Sequence, residues 1–296
     1  MDSLAVDGVR LDFDALFRLQ HLGGAMRSGR SRSMTAYPGG FIYRQRGRGL
    51  EINDVRPWLF GDDIRHIDRN ATARTGIQHV RTFRDERDRS LLLVADFRPS
   101  MLFGTRRAFR SVAAAECLAL LGWSATALGI RIATATAGAE PASAPLGRGV
   151  RHMSTILGLW TRAHAAALAH VSAGETPLAA VLETAARLAP RGATIMAATS
   201  LDTTSASFDG TVRWLARRND LRFAIIRDAF ERAPPRGAYP YLASNGARGL
   251  IEIGRGHVSH VEDRCAHLRN LGASAVIVDS DLDCEKSVGV LEALNG

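Results

Sequence analysis

The fold is decided by the stretch Leu91–Gly104, which has the sequence LLLVADFRPSMLFG. Five apolar residues run without alternation into Asp96. This pattern predicts a strand buried on both faces, as in the middle of a parallel sheet. Pro99 cannot continue the strand pairing, and Thr105 is placed to cap a helix over residues 106–129. We therefore predict that the strand ends at Asp96 and that a loop follows it.

The loop after this strand carries two further polar residues, Arg98 and Ser100. In an open α/β sheet, ligands bind in the crevice at the carboxyl ends of the strands. We therefore expect Asp96, Arg98 and Ser100 to lie at the functional edge of the molecule.

The chain beyond this point alternates strands with helices, which predicts an α/β fold with a doubly wound, mostly parallel sheet and right-handed crossovers. The predicted strands cover 90–96, 130–137, 193–198, 221–227, 274–278 and, as an edge strand, 247–253. The predicted helices cover 106–129, 151–170, 177–188, 208–218 and 258–271, and residues 138–149 are predicted to form a loop.

The N-terminal part has a different pattern. A short amphipathic helix is predicted over Leu11–Leu22, and the Gly-, Ser- and Arg-rich residues 23–40 are predicted to form a loop or a mobile arm. Short β structure is expected over residues 41–50 and 78–84. The predicted domains are an N-terminal β-containing module, residues 1–88, and an α/β domain, residues 89–296.

The net charge of +8 comes almost entirely from arginine, because Lys286 is the only lysine. Positive charge attracts nucleic acid, and the arginines within 27–32, together with Arg44, Arg46 and Arg48, are candidates for phosphate contacts. A skew from lysine to arginine is also typical of GC-rich coding sequence. Nucleic-acid binding is therefore the alternative function and not the preferred one.

The chain also lacks targeting signals and cysteine motifs. Its N-terminus is acidic, without the basic-then-apolar pattern of a signal peptide, and no uncharged apolar run reaches about 18 residues. The 3 cysteines are far apart, which is not the spacing of a zinc site or a disulfide framework. We expect a cytoplasmic protein without a membrane span.

Residues 61–68 have the sequence GDDIRHID. This segment resembles the Gly-Asp-Asp signature of the bacterial domain-of-unknown-function-58 family, although Arg69 stands where the signature has tryptophan. The resemblance covers residues 40–255 and includes Asp228–Glu231, which is similar to a second family segment. It implies a von Willebrand factor A-like fold with an N-terminal β insertion. It also implies a MoxR-type AAA+ ATPase as partner, in the assembly or activation of client proteins.

The A-like fold in turn implies a metal-ion-dependent adhesion site, in which hydroxyl and carboxylate oxygens hold Mg²⁺. On this pattern Asp96 matches the aspartate of Asp-x-Ser-x-Ser, Ser100 matches its second serine, and Thr176 matches the threonine of a second loop. Arg98 stands at the first serine. Ser200 stands where the third loop usually has an aspartate, with Asp202 two residues later.

These departures leave two states of the site open. Asp96, Ser100 and Thr176 could still hold Mg²⁺, or Arg98 could neutralise Asp96 and close a degenerate site. A guanidinium repels a cation by about 4 kcal/mol per pair of unit charges 4 Å apart at an effective dielectric near 20. The charge of Arg98 therefore favours the closed state.

Two other clusters have simpler interpretations. Asp62, Asp63 and Asp68 are interleaved with arginines, which predicts a salt-bridged turn and not acid–base catalysis. His257, His260 and His267 are too widely spaced for zinc and are predicted on a solvated helix face.

The preferred prediction is thus a non-enzymatic protein-interaction domain that works with an AAA+ ATPase. Its predicted partner-binding residues are Asp96, Arg98, Ser100, Thr176, Ser200 and Asp202.

Overall fold

A computed structural model describes residues 8–29, 51–59, 67–84, 90–170, 176–202, 205–242, 247–253, 260–283, 286–287 and 289–290. Their contacts divide the chain into two units, one built from residues 1–34 and 90–296 and the other from residues 35–89. We call the first the α/β unit and the second the ribbon unit.

The α/β unit is built on a six-stranded sheet of β3 (Ser90–Asp96), β4 (Arg131–Ala137), β5 (Ser143–Gly147), β6 (Thr194–Thr199), β7 (Asp220–Arg227) and β10 (Ser274–Asp279). The order of the strands in the sheet is β10-β7-β6-β3-β4-β5. All neighbouring strands are parallel except β5, which is antiparallel to β4. The prediction of an α/β fold with a mostly parallel sheet is thus confirmed.

Strand β3 lies in the centre of this sheet, between β4 and β6. The side chains of Leu92, Leu93, Val94 and Ala95 are completely buried because helices cover both faces of the strand. The chain leaves β3 toward β4 on one side and later returns to β6 on the other. The carboxyl end of β3 therefore lies at the switch point where an open sheet forms its ligand crevice.

Helices cover the two faces of the sheet in separate groups. The first group packs on one face and contains α1 (Phe13–Arg18), α4 (Arg110–Ala127) and α5 (Gly149–Ala169). The second group packs on the other face and contains α6 (Leu178–Leu188), α7 (Ala206–Ala216) and α9 (Val261–Asn270). Helix α4 is buried on nearly all sides, as its continuous apolar sequence requires.

The N-terminal segment differs from its prediction. A further helix, α2 (Gln20–Gly29), follows α1 directly, so residues 23–29 are helical and not a loop. Gly23 is needed for close packing here and does not break the helix, because a Cβ at this position would lie 2.5 Å from Cβ of Trp123 on α4. Trp123 also donates its indole N–H to the carbonyl of Leu16 at 2.9 Å. Helices α1 and α2 therefore belong to the α/β unit. The predicted domain boundary at residue 88 places them in the N-terminal module instead.

Two other predictions within the α/β unit are corrected. Helix α4 begins at Arg110 and not at Arg106, because Thr105 bonds to Asp228 instead of capping the helix. The predicted loop 138–149 contains strand β5, which extends the sheet by an antiparallel turn from β4. The turn between β4 and β5 is held by Thr136, whose hydroxyl accepts the backbone N–H of Ala142 at 2.8 Å.

The segment 247–253 does form a strand, but it does not lie at an edge of the main sheet. It forms β9 (Arg248–Ile253), which pairs with β8 (Gly237–Leu242) in a separate antiparallel ribbon. The intervening α8 (Ala229–Arg232) follows β7.

The described residues of the ribbon unit form strands β1 (Glu51–Pro57) and β2 (His79–Arg84), which pair in antiparallel fashion, and helix α3 (Arg69–Thr75). Asp68 begins this helix by accepting the backbone N–H groups of Asn70 and Ala71, each at 2.9 Å. Asp68, one of the three aspartates of the predicted salt-bridged turn, is therefore a helix N-cap. Asp62, Asp63, Arg44, Arg46 and Arg48 lie outside the described residues.

Candidate functional site

Asp96 lies at the last position of β3 and is completely buried. Its Oδ1 accepts the backbone N–H of Arg98 at 3.0 Å and the guanidinium Nε at 2.9 Å. Its Oδ2 accepts Nη2 of Arg98 at 2.8 Å and the hydroxyl of Thr199 at 2.7 Å. The two oxygens of the carboxylate thus receive four donors, which is their full capacity.

This arrangement does not fit Mg²⁺. An octahedral magnesium site needs a carboxylate oxygen with a lone pair directed at the ion, and both oxygens of Asp96 are saturated by protein donors. Arg98 is itself buried, with 5% of its side chain exposed. Its permanent positive charge therefore occupies the position next to the carboxylate where a cation would bind, which is the closed state of the site.

The hydroxyl of Thr176 and the backbone carbonyl of Ser100 each bond to a group other than Asp96. The hydroxyl of Thr176 donates to the carbonyl of Gly138, just after β4, at 3.3 Å. The carbonyl of Ser100 accepts Nη1 of Arg110 at 3.2 Å. Neither contact involves Asp96, so the structure brings Arg98 to the carboxylate and uses the loops of Ser100 and Thr176 for other contacts.

A second charged group lies beside the first, at the end of β6. Leu201 has a backbone φ of 53° and its side chain is buried. A left-handed conformation is uncommon for a leucine and marks a constrained turn. Following this turn, Asp202 pairs with Arg110 at 3.1 Å and with Arg264 at 3.0 Å, and it accepts the hydroxyl of Ser200 at 2.9 Å.

Glu231 completes this second group from the neighbouring strand end. It pairs with Arg110 at 2.6 Å and with Arg264 at 3.3 Å, so each of these arginines joins two carboxylates. Glu231 also accepts the backbone N–H of Asp228 at 3.0 Å, in a capping box that begins α8. The segment Asp228–Glu231 thus positions a loop and links the ends of β6 and β7.

Asp228 is completely buried and holds the loop after β3 in place. It accepts the hydroxyl of Thr105 at 2.5 Å, the backbone N–H of Thr105 at 3.0 Å and the hydroxyl of Ser280 at 3.3 Å. Burial raises the pKa of this carboxyl, but the hydrogen bonds from Thr105, Phe230 and Ser280 outweigh burial and leave its pKa below the ordinary value.

A buried histidine lies behind the edge. His164 of α5 is 1% exposed, its Nε2 lies 2.9 Å from the hydroxyl of Ser111, and its ring meets the ring of Phe97 edge-on at 5.3 Å. Burial lowers the pKa of His164 from 6.5 to about 4. The imidazole is therefore neutral in the folded protein near neutral pH.

His260 and His267 do not converge on a metal. His260 pairs with Asp263, and His267 lies 2.9 Å from Asp209 of α7. Within the described part of the chain, no group of three or more His, Cys, Asp or Glu side chains could hold a metal ion. His257 lies outside the described residues.

Three residues of the site escape reasoning from sequence, namely Thr199, Arg110 and Arg264. Thr199 is the last residue of β6 and Arg110 is the first residue of α4. The ends of such elements are located from sequence only to within a few residues. Arg264 lies on a helix more than sixty positions from Ser200, whose carbonyl it binds at 2.9 Å. The position of Thr199 at the end of a predicted strand is the signal that could have found it.

The fold and the site define an open α/β protein whose switch-point carboxylate is closed by an arginine. A family model described as "Protein of unknown function DUF58" matches residues 54–255, and the chain belongs to this family.

Curated relatives match a shorter stretch. The uncharacterized proteins Mb1516 of Mycobacterium bovis and Rv1480 of Mycobacterium tuberculosis are each 35% identical over 115 residues. The match covers 38% of this chain and 35% of each relative, so the matched stretch spans about a third of the length of these relatives.

Among solved structures, an aerotolerance-related membrane protein from Bacteroides fragilis aligns with a TM-score of 0.46 and 11% identity. The protein BatB from Bacteroides thetaiotaomicron aligns with a TM-score of 0.42 and 11% identity. Each alignment covers 70% of this chain and 98% of the other. Across the residues that the structure describes here, no helix is both long and apolar enough to cross a membrane.

Proposed function

We propose that this chain is a non-enzymatic, von Willebrand factor A-like domain that binds a partner protein without a metal ion. The proposed binding face is the carboxyl-terminal edge of the sheet, formed by the loops after β3, β4 and β6. Arg98 and Ser100 lie in the loop after β3, and Ser200 and Asp202 follow β6. Asp96 is the last residue of β3, and Thr176 precedes α6 and bonds to Gly138, just after β4.

One observation carries this proposal, the two-point contact between Arg98 and Asp96. In a metal-dependent adhesion site, the ion links the domain to a carboxylate of its partner. Here the guanidinium occupies the place beside Asp96 and both residues are buried. Asp96 and Arg98 would therefore shape the loop, while the partner would contact the side chains around it.

Two exposed side chains suit that contact. Phe103, in the loop after β3, is 40% exposed, and the guanidinium of Arg110 lies 5.1 Å from its ring centre. Asp202 has 28% of its side chain exposed, although it is paired with two arginines. Aromatic residues, phenylalanine among them, are enriched at the centres of protein interfaces.

We further propose a MoxR-type AAA+ ATPase, or its client, as the partner. This part of the proposal rests on the resemblance of the Gly-Asp-Asp segment and its surroundings to the family. The proposed role is the assembly or activation of client proteins.

The metal dependence can be tested by thermal unfolding with Mg²⁺ and with EDTA. We expect the midpoint of the native chain to be the same under both conditions. The substitution Arg98→Ser restores the Asp-x-Ser-x-Ser pattern and removes the guanidinium. We expect this variant to be less stable than the native chain but to gain a midpoint that rises with Mg²⁺, because a bound ion stabilises the folded state. A native midpoint that rises with Mg²⁺ and falls with EDTA would contradict the proposal.

The partner can be tested by capture from the source cells with the tagged full chain, followed by mass spectrometry. We expect an AAA+ ATPase to be retained in EDTA and lost with Phe103→Ala. Leu128→Ala is a matched control, because Leu128 is 37% exposed just after α4, toward the opposite edge of the sheet. Equal capture by both variants, or capture without an ATPase, would refute this assignment.

A further inference from the structure

A groove with arginines lies at the opposite, amino-terminal edge of the sheet. It is formed by the end of α6, the loop into β6 and the end of α7, because each of these helices ends where the next parallel strand begins. The groove has a volume of about 530 Å³, which is within the usual range for ligand sites.

Three exposed arginines line this groove, namely Arg187, Arg191 and Arg218. Among the described residues, no carboxylate forms an ion pair with any of them. Arg187 donates instead to a neutral group, the hydroxyl of Thr184, at 2.8 Å. Three guanidinium groups around one groove thus create a local positive potential directed at solvent.

Trp214 provides an apolar surface in the same groove. The side chain is 45% exposed, and the guanidinium of Arg218 lies 4.6 Å from the ring centre. Exposed tryptophan and arginine are the residues most often found at the energetic centre of protein interfaces. The stacking also holds Arg218 in place, so less side-chain entropy is lost when this arginine binds a ligand.

Glu183 lines the groove as well and decides which acidic ligand fits best. A nucleic-acid strand presents a phosphate at every nucleotide, and Glu183 would repel one of them. A peptide carries carboxylates only at its acidic residues, and its backbone N–H groups could donate hydrogen bonds to Glu183. The mixture of three arginines, one glutamate and an exposed tryptophan therefore favours a peptide.

We propose that this groove, which we call the arginine groove, binds an acidic peptide segment of a partner protein. Carboxylates of the segment would form bidentate pairs with Arg187, Arg191 or Arg218, and an apolar residue would pack on Trp214. This site lies on the opposite edge from the binding face proposed above, and its test is independent of that function.

The full chain is first screened against an array of short acidic peptides, each with one leucine or tryptophan. The affinities of the best binders are then measured by fluorescence anisotropy. Peptides with glutamine in place of glutamate and a labelled single-stranded oligonucleotide are measured in parallel. The variants are Arg187→Ala, Arg191→Ala and Trp214→Ala. Matched controls of equal charge change are Arg151→Ala and Arg162→Ala, at exposed arginines of α5 on the other face of the sheet.

We expect acidic peptides to bind, glutamine peptides not to bind, and each groove variant to weaken binding by roughly tenfold, which corresponds to the loss of about 1.4 kcal/mol of binding free energy. The α5 controls should bind as the native chain does. Equal weakening by the α5 controls would indicate general charge attraction and overturn the proposal. So would the absence of binding across the array, or stronger binding of the oligonucleotide through the same residues.

Discussion

The arginines at the two edges of the central sheet differ in their surroundings. At the carboxyl-terminal edge Arg98, Arg110 and Arg264 are each paired with carboxylates, and Arg98 and Arg110 are almost completely buried. At the amino-terminal edge Arg187 and Arg191 are exposed, and no carboxylate of the described residues pairs with them. Arginines thus fix loops at one edge, whereas Arg187 and Arg191 leave positive charge accessible at the other. This comparison predicts opposite results for substitutions at the two edges.

The largest effect is expected at Asp96. Asp96→Ala leaves the buried guanidinium of Arg98 without its partner, and breaking a buried ion pair in this way costs about 3–5 kcal/mol of unfolding free energy. Urea denaturation measures this loss. The double variant Asp96→Ala with Arg98→Met removes both charges and should recover most of the stability. A loss below about 1 kcal/mol in the single variant would show that Arg98 does not depend on Asp96.

The next largest effect is expected at His164, which is buried but forms no ion pair. It therefore tests what burial alone does to the stability of the fold. The pKa of His164 is about 4 in the folded chain and 6.5 when unfolded. The unfolded chain therefore binds a proton below pH 6.5 that the folded chain does not. Its free energy of unfolding should fall by up to about 3 kcal/mol as the pH drops from 6.5 to 4.

Stability curves measured by urea denaturation at several pH values check this expectation. His164→Asn should remove that part of the decrease. His170→Asn, at an exposed histidine that ends the same helix, should retain it. An unchanged pH dependence in His164→Asn would assign the decrease to other groups.

The contact between Thr105 and Asp228 should have a smaller effect. Thr105→Val removes the hydroxyl that donates to Asp228 and keeps the backbone donor, so we expect a loss of about 2 kcal/mol at neutral pH. Because the pKa of Asp228 is lowered on folding, the stability that it contributes is lost as the pH falls through its folded pKa. The variant should raise that pKa and begin to lose stability at higher pH. An acid limb identical to that of the native chain would contradict this role.

The smallest effects are expected at the arginine groove. Arg187→Ala and Arg191→Ala should each change the free energy of unfolding by less than about 0.5 kcal/mol, as is usual for exposed residues without charged partners. Thermal or urea unfolding measures this change. A loss comparable to that of Asp96→Ala would remove the contrast between the two edges.

Much of the fold follows from the sequence because its strands are short apolar runs between helical segments. Strand β3 begins and ends where the sequence predicts it. The errors occur where a tertiary contact replaces a local preference. Gly23 is helical because α2 approaches Trp123 closely, and Thr105 leaves its predicted helix cap because Asp228 accepts its hydroxyl.

The candidate site was only partly predictable for a similar reason. Asp96 and Arg98 are two residues apart, so their contact could be expected from charge and spacing alone. Thr199, Arg110 and Arg264 come from separate elements, and no local pattern links them to Asp96 or Asp202. Their contacts depend on the strand order, which places the ends of β3, β6 and β7 side by side.

The sequence by itself determined the α/β fold, the central strand and the position of Asp96 at its end, because alternation and apolar runs are local properties of the chain. Only the tertiary structure decided which arginines are paired with carboxylates and which remain exposed. The pairing of a charge depends on partners that are distant in sequence, and folding alone brings them within hydrogen-bonding distance.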